Sequence, residues 1–241
     1  MDGCGQELGV KLDLLREAES ATRWQMMFRF EDADSAAGWR SSEVHQALQP
    51  ALKTLHIGMT VQGYEGARPV GLDFSARQLD HARRLMADAG VDFPLVHASA
   101  EAVPLPDASF DIVFCDFGAM TFADPYLTVP EAARLLRPGG LFAFSGHSPI
   151  ATICWPLDAD EVTDHLALDY FGMHAIDDGE TVSSQLPYGE WVRLFRASGF
   201  VIEDLIEPRP APDATSTYTS TEARAWARRW PAESIWRLRR G

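Results

Sequence analysis

From about residue 67 the chain alternates between short apolar runs and amphipathic helical patterns, and this alternation most constrains its fold. The apolar runs predict strands over 67–73, 93–97, 110–116, 141–145, 200–206 and 234–238. Helical spacing between them predicts helices over 75–89, 128–137, 188–198 and 221–230. Strands that alternate with helices form βαβ units, which build a mostly parallel sheet. The sequence therefore predicts an α/β fold with helices on both faces of a doubly wound sheet.

Capping signals indicate where two of these helices begin. Ser75 precedes the first helix and Gln78 follows three residues later, which predicts a capping box. Thr128 and Glu131 have the same spacing and predict a second capping box. We therefore expect the two helices to start at Ser75 and Thr128.

Charge and cysteine content narrow the class of protein. The 241 residues carry a formal net charge of −14, so we expect neither nucleic acid nor an anionic membrane surface as a partner. Three cysteines with no CxxC pair indicate a reducing compartment rather than a disulfide framework. Because there is no signal-peptide pattern and no long apolar run, we expect a cytoplasmic protein.

Ligands of open α/β sheets bind at the carboxyl ends of the strands, and one predicted strand ends in an acid and an aromatic residue. Asp73 can accept hydrogen bonds from a ribose diol, or it can lie in solvent near a helix N-terminus. Phe74 can pack on a nucleoside, or it can form a hydrophobic staple with Leu79. Both positions are candidate binding residues.

Two further strand ends carry candidate binding residues. Ser99, Ala100 and Glu101 follow the strand over 93–97, where a backbone N–H and a side-chain oxygen can read an adenine edge or form a plain turn. Cys115 and Asp116 end the strand over 110–116. The acid can attract a cationic ligand, whereas a buried cysteine is more often a packing residue.

Four short segments stand in a fixed order along the middle of the chain: VGLDFS at 70–75, ASAEAVPL at 98–105, SFDIV at 109–113 and LLRPGG at 135–140. Together they resemble the class I S-adenosylmethionine-dependent methyltransferases, and within them the methyltransferase type 11 group that acts mostly on small molecules. The resemblance covers 53–146 and, more weakly, 188–241. It implies S-adenosylmethionine as the cofactor and a Rossmann-like, seven-stranded sheet whose last strand is antiparallel.

The resemblance also implies roles around the adenosine part of the cofactor. Asp73 would bind the ribose, and Phe74 would flank the adenine. Ser99 stands where the family has an aspartate that reads the adenine amine. Ala100 can still offer its backbone amide there, and Glu101 follows it in the same segment.

Around the methionine part of the cofactor the resemblance places Cys115, Asp116 and a glycine loop, and the loop departs from the family's pattern. Gly58 stands at its start, with His56 in the place of the family's acid. Only the eight residues 59–66 connect Gly58 to the next strand, whereas a parallel crossover needs roughly a dozen. One of three alternatives therefore holds: residues 54–58 lie outside the central strand, they pair antiparallel within it, or they lead into a loop that has no helix.

The chain divides into a helical N-terminal cap over 1–52, a core over 53–146 and 188–241, and a substrate-side insertion over 147–187. We expect the apolar residues of the cap to cover one side of the core, to form a lid or to offer a surface for a homodimer, and the sequence leaves these alternatives open. The family usually builds its acceptor pocket in this insertion, which holds the candidate bases His147, His165, Asp169, Tyr170, His174 and Glu180 and the candidate apolar walls Trp155 and Phe171. No histidine or cysteine spacing predicts a metal site.

The sequence thus predicts S-adenosylmethionine-dependent methyl transfer to a small-molecule acceptor, weakened by the short connection over 59–66. The alternative is a methyltransferase fold without catalysis that serves as a binding or interaction module. A nicotinamide-dependent oxidoreductase would need GxGxxG about 20 residues before its acid. Gly58 precedes Asp73 by only 15 residues and has no such pattern, which disfavours that class.

Overall fold

A seven-stranded sheet forms the centre of the computed structural model, which describes residues 25–28, 69–89, 92–159, 161–214 and 220–241. The order of the strands across the sheet is β3-β2-β1-β4-β5-β9-β8, and β6 and β7 form a separate hairpin. The strands are β1 Gln25–Phe28, β2 Val70–Asp73, β3 Leu95–His97, β4 Phe110–Asp116, β5 Leu136–His147, β6 Ile176–Asp177, β7 Val182–Ser183, β8 Phe200–Ile206 and β9 Glu233–Arg240.

Helices connect most of these strands and cover the sheet. They are α1 Ala76–Ala89, α2 Ala119–Phe122, α3 Pro125–Leu135, α4 Pro149–Ile153, α5 Tyr188–Ala197 and α6 Thr221–Ala227, with a 3₁₀ turn at Tyr170–Gly172. Helices α3 and α5 contribute large apolar side chains to the main core, so that this face of the sheet is closed to solvent. The predicted α/β architecture is confirmed.

Strand directions agree with the mostly parallel sheet expected from the sequence. Strands β2, β3, β4, β5 and β8 run the same way, whereas β1 and β9 run the opposite way. The reversal of β9, the last strand, is the one that the resemblance implies. The reversal of β1 was not expected, and it changes which end of the central strand faces the candidate site.

The central position between β2 and β4 belongs to β1. Gln25 pairs with Leu72 on one side and Cys115 on the other, and both ladders are antiparallel. These four residues lie within the predicted helical cap over 1–52, so for them the helical expectation is wrong, because ladders on both sides hold them extended. The predicted strand 54–58, Gly58 and the connection 59–66 lie outside the described residues, and the domain division as a whole stays a prediction.

Two element boundaries differ from the prediction because side chains are used elsewhere. Helix α3 begins at Pro125, since the Asp124 carboxylate accepts the Tyr126 amide at 2.9 Å and caps it. The capping box predicted at Thr128 and Glu131 is therefore wrong. Strand β5 begins at Leu136 and takes in the predicted turn over 138–140, where its register against β4 shifts.

The main core lies between the sheet and helices α3 and α5. Phe142 of β5 is fully buried, and its ring lies 5.2 Å from that of Phe144 and 5.6 Å from that of Phe200. A second apolar cluster joins Ile153 and Met173 of the insertion to Trp226 of α6. The insertion over 147–187 is thus packed onto the domain by its own small core.

Candidate functional site

The end of β2 presents an acid at the carboxyl edge of the sheet, as predicted. Asp73 is half-buried, and its Oδ1 accepts the Ser75 amide at 2.7 Å. Burial raises the pKa of the Asp73 carboxyl, although the Ser75 amide and the nearby His97 act in the opposite direction. Ser75 Oγ accepts the Gln78 amide at 3.4 Å, so Ser75 caps α1 as expected and holds the backbone beside Asp73.

Phe74 lies open to solvent beside this acid. Its side chain is 71% exposed, whereas Leu79 is buried, so the hydrophobic staple between the two is not formed. His97 Nε2 lies 2.9 Å from the Phe74 carbonyl oxygen and ties the end of β3 to this turn. An exposed aromatic ring beside the strand-end acid Asp73 can stack on a flat base.

The segment after β3 lies against the same edge. The Ala98 amide donates to the Asp73 carbonyl at 3.2 Å, which brings Ser99 close to the end of β2. Ser99 Oγ accepts the Glu101 amide at 3.2 Å, and Ala100 is buried. The Glu101 carboxylate accepts the Asp124 amide at 2.9 Å, so its side chain anchors the start of α3.

An ion pair on α3 holds the continuation of this segment. Glu131 Oε1 accepts the Val103 amide at 2.6 Å and the Arg134 guanidinium at 2.7 Å. Arg134 also donates to the carbonyls of Val103 and Leu105, both at 2.9 Å. The Arg134 guanidinium holds the pKa of the Glu131 carboxyl below its ordinary value, against the effect of burial. We call Glu131 and Arg134 the α3 clamp.

The two candidate residues at the end of β4, Cys115 and Asp116, lie in different environments. Cys115 is 1% exposed, and burial raises the pKa of its thiol to about 12, so the side chain packs in the core. Asp116 accepts a hydrogen bond from the Ser145 hydroxyl of β5. Phe117 follows with a φ of +53°, a left-handed conformation that is costly for a bulky residue and common near functional sites.

A cavity of about 310 Å³ opens at the carboxyl end of β5, next to this edge. Its lining comes from α2, α4, α5, the 147–187 insertion, the end of β5 and the beginning of β9. His147, the last residue of β5, faces it between two aromatic rings, with centroid distances of 5.0 Å to Phe117 and 5.2 Å to Trp155. The cavity thus adjoins the end of β4 that carries Asp116, whereas Asp73 lies two strands further across the sheet.

Of the candidate bases in the insertion, only His147 lines this cavity. His165 is exposed beside Asp164 at 2.7 Å, and His174 lies 3.0 Å from Asp124. Asp169, Tyr170 and Glu180 do not line it either. Trp155 forms a wall as predicted, but Phe171 is 91% exposed, so its assignment as a wall is wrong.

Sequence reasoning missed most of the wall that lies outside the insertion. Met120, Trp191, Ser234 and Trp236 line the cavity from α2, α5 and β9. Helical periodicity placed Trp191 on an apolar face, but the pairing of β9 with β5 alone brings Ser234 and Trp236 there. No local signal could have found these two.

The described ranges contain neither a metal-binding cluster nor a membrane-spanning helix. No cluster of three or more histidine, cysteine, aspartate or glutamate side chains there has the geometry to hold a metal ion. No helix in those ranges combines the length and the apolar character needed to cross a membrane.

Residues 57–144 match the methyltransferase domain family. The demethylmenaquinone methyltransferase of Thermus thermophilus is 33% identical over 132 residues, which are 51% of this chain and 60% of the relative. The dimethylglycine N-methyltransferase of Parasynechococcus marenigrum is 40% identical over 95 residues, which are 34% of each protein. The chain therefore spans less than two thirds of these curated relatives.

Solved structures give the same fold. An S-adenosylmethionine-dependent methyltransferase from Mesorhizobium loti superposes with a TM-score of 0.56 at 24% identity, over 71% of this chain and 79% of that one. The geranyl diphosphate C-methyltransferase of Streptomyces coelicolor, solved with S-adenosyl-L-homocysteine, has a TM-score of 0.50 at 15% identity, over 71% and 62%. At these identities the likeness concerns the fold.

Proposed function

We propose that residues 57–144, which match the methyltransferase domain family, belong to a class I S-adenosylmethionine-dependent methyltransferase, and that the protein transfers a methyl group to a small-molecule acceptor. S-adenosylmethionine is the cofactor of this family. The observation that carries the proposal is that Asp73, Asp116 and the cavity all lie at carboxyl ends of parallel strands of one sheet. The two curated relatives are named for different acceptors, so their names leave the acceptor open.

The groups on the described part of this edge fit the cofactor. Asp73 would accept hydrogen bonds from the ribose hydroxyls, and Phe74 would stack on the adenine. The main chain at Ala100 would meet the adenine edge, while Glu101 keeps the segment in place through its bond to Asp124. Gly58, the predicted contact to the methionine part, lies outside the described residues and stays a prediction.

Bound S-adenosylmethionine supplies an electrophilic methyl group on a cationic sulfonium. The chain would contribute position: Asp116 would supply negative charge at the strand end beside the cavity, and the aromatic side chains of the cavity would limit the access of water. His147 can take a hydrogen bond from the acceptor and hold its proton as the new bond forms. Cys115 takes no part through its buried side chain.

One observation favours the alternative of a binding module without turnover. Strand β1 runs antiparallel to β2 and β4, so its N-terminal end, at Gln25, faces the edge that carries Asp73. The family's glycine loop follows the carboxyl end of the central strand, and that end of β1 lies at the opposite edge. We therefore expect weak or absent turnover, well below about 1 per second.

Calorimetry with S-adenosylmethionine tests the proposal. The Asp73→Ala variant should abolish measurable binding, and Asp73→Asn, which keeps the contact to Ser75, should weaken it by roughly tenfold or more, since hydrogen bonds to charged groups contribute about 1.5–3 kcal/mol. Asp80→Ala, an exposed acid on α1, is the control and should leave the affinity unchanged.

The outcomes separate the two candidates. Binding together with methyl transfer supports the enzyme. No binding by the wild type at millimolar S-adenosylmethionine, or binding without transfer across a panel of acceptors, supports the module. Unchanged affinity in Asp73→Ala would refute the site. A cytoplasmic location, a homodimer through the N-terminal region and the absence of nucleic-acid or membrane partners stay predictions.

A further inference from the structure

The cavity at the end of β5 has a lining with almost no charge. Its walls combine aromatic and aliphatic side chains with hydroxyl and amide groups, and the largest rings are those of Phe144, Trp155, Trp191 and Trp236. Among the described residues that line it there is no lysine or arginine. An anion entering this space would lose its water and gain no cation, which is costly.

The carboxylate at the mouth of the cavity, that of Asp178, is occupied by its own turn. Its Oδ1 accepts the amides of Glu180 at 2.9 Å and Thr181 at 2.7 Å, and its Oδ2 accepts the Thr181 hydroxyl at 3.1 Å. The Thr181 amide, the strongest of several contacts, holds the pKa of this carboxyl below its ordinary value. The carboxylate therefore stays ionised at neutral pH, and because it is negative it disfavours an anion in the cavity further.

Two buried polar residues, Gln185 and Ser234, lie in the wall, and Gln185 is also occupied. The Gln185 amide nitrogen donates to the His147 carbonyl at 2.6 Å, and its oxygen accepts the Trp191 indole N–H at 2.7 Å and the Leu186 amide at 2.8 Å. These bonds brace the wall and hold the backbone of His147. The imidazole of His147, between Phe117 and Trp155, is the ring that is placed to meet a polar group of a ligand.

We propose that this cavity selects an uncharged acceptor, a compact apolar molecule with one hydroxyl group directed at His147, and rejects carboxylates and phosphates. Its description as an acceptor rests on the proposed function, but the rejection of anions rests only on the lining. Burial of an uncharged apolar body in this volume is favourable, whereas an anion would be desolvated without a cation to compensate it.

A matched series of three small molecules tests the selection by calorimetry, without cofactor. At neutral pH 4-tert-butylphenol is uncharged, 4-tert-butylbenzoate is an anion and 4-tert-butylbenzylamine is a cation, and all three have the same apolar body. The wild-type protein should bind the phenol at least about tenfold more tightly than the benzoate. Because the amine is also charged, its binding shows whether the loss for the benzoate comes from negative charge or from charge of either sign. Equal or tighter binding of the benzoate than of the phenol, or binding of none of the three, overturns the proposal.

A designed change of charge gives the sharper result. Thr152, on α4, lines the cavity, and Thr152→Lys places a cation there. This variant should bind the benzoate about tenfold more tightly than the wild type does, because the anion gains a partner. Leu166→Lys, at a side chain 77% exposed in the same insertion and away from the cavity, should leave it unchanged. An equal gain in both variants would mean that net charge, and not the lining, governs binding.

The role of His147 has its own comparison. His147→Phe keeps a ring between Phe117 and Trp155 and removes the hydrogen bond, so phenol affinity should fall by about three- to tenfold. His165→Phe, at an exposed histidine outside the cavity, is the control. A protein that keeps this selectivity but does not bind S-adenosylmethionine would refute the proposed function alone. A protein that binds the cofactor but prefers the benzoate to the phenol would refute the rejection of anions alone.

Discussion

At the end of β4 two adjacent residues have opposite environments. Side chains alternate along a strand, so Cys115 points into the core while Asp116 reaches the Ser145 hydroxyl on β5. Both were predicted to lie near the cofactor, but only Asp116 presents a side chain at the sheet edge. At the end of a strand, only every second side chain therefore points toward a ligand. Two residues that are adjacent in sequence, such as Cys115 and Asp116, do not both become binding residues.

The buried thiol of Cys115 leads to a chemical prediction. Alkylation needs the thiolate, and a pKa of about 12 keeps this form scarce at mildly alkaline pH. We expect iodoacetamide to leave Cys115 unmodified in the native protein and to modify it fully in denaturing urea, as read by peptide mass spectrometry. Rapid native labelling would place the thiol at the surface, contrary to the structure.

Among the elements, the α3 clamp connects the helix to the segment that follows β3. Glu131 and Arg134 bind main-chain groups of Val103 and Leu105 as well as each other. The clamp thus sets the position of the 99–101 segment, which the adenine is proposed to meet. It also explains why Glu131 is unable to serve in the capping box that the sequence predicted.

Removal of the clamp's cation should destabilise the fold. Arg134→Met leaves a half-buried carboxylate without its partner, and we expect a loss of about 1–3 kcal/mol in the free energy of unfolding, measured with urea at neutral pH. Arg83→Met, at an exposed pair with Asp80 on α1, is the matched control and should cost under about 0.5 kcal/mol. Equal costs would show that the clamp acts as an ordinary surface pair.

The same clamp predicts a pH dependence. The pKa of Glu131 is lowered in the folded state from its ordinary 4.5, so the pair stabilises the protein fully above that pH and loses its effect as the pH falls through the folded pKa. The difference in the free energy of unfolding between wild type and Glu131→Gln should be full at neutral pH and shrink below about pH 4.5. A constant difference across that range would contradict the assignment.

The glycine that follows the C-terminus of α5 allows a prediction about stability. A second glycine inside the helix is a control for which the same substitution has the opposite expected effect. Gly199 has a φ of +80°, and a Cβ there would also collide with the Arg240 guanidinium. Gly199→Ala should therefore cost about 1 kcal/mol or more in unfolding free energy. Gly189→Ala, inside α5 with space for a methyl group, should be neutral or stabilising by up to about 1 kcal/mol. Losses of equal size at both positions would remove the conformational explanation.

For the molecule as a whole, the central strand decides how the two halves of the sheet join. Met27 of β1 pairs with Val70 of β2 and Val113 of β4, so its backbone stands between two ladders. Met27→Pro removes an amide and should cost about 3 kcal/mol or more, whereas Met27→Val, a good strand former, should be tolerated. Thermal and urea unfolding measure both, and a stable proline variant would mean that β1 is dispensable.

Local patterns predicted much of the fold and part of the site. The bounds of β4 and β8 are those expected from their apolar runs, and helix α5 ends at its predicted glycine. Asp73 lies at the edge where a strand followed by a capped helix must put it. These features depend on neighbours within a few residues, so composition and spacing were sufficient to find them.

The amino-acid sequence by itself determined the alternating α/β pattern, the methyltransferase resemblance and the acid at the end of β2, because each rests on short-range periodicity or on an ordered set of motifs. The tertiary structure alone decided that β1 fills the centre of the sheet in reverse and that Cys115 is buried. It also decided that Ser234 and Trp236 of β9 meet His147 at one cavity. Those features depend on strand pairing between residues far apart in the chain. Because this pairing is set by the packing of the whole sheet, it cannot be read from any single segment.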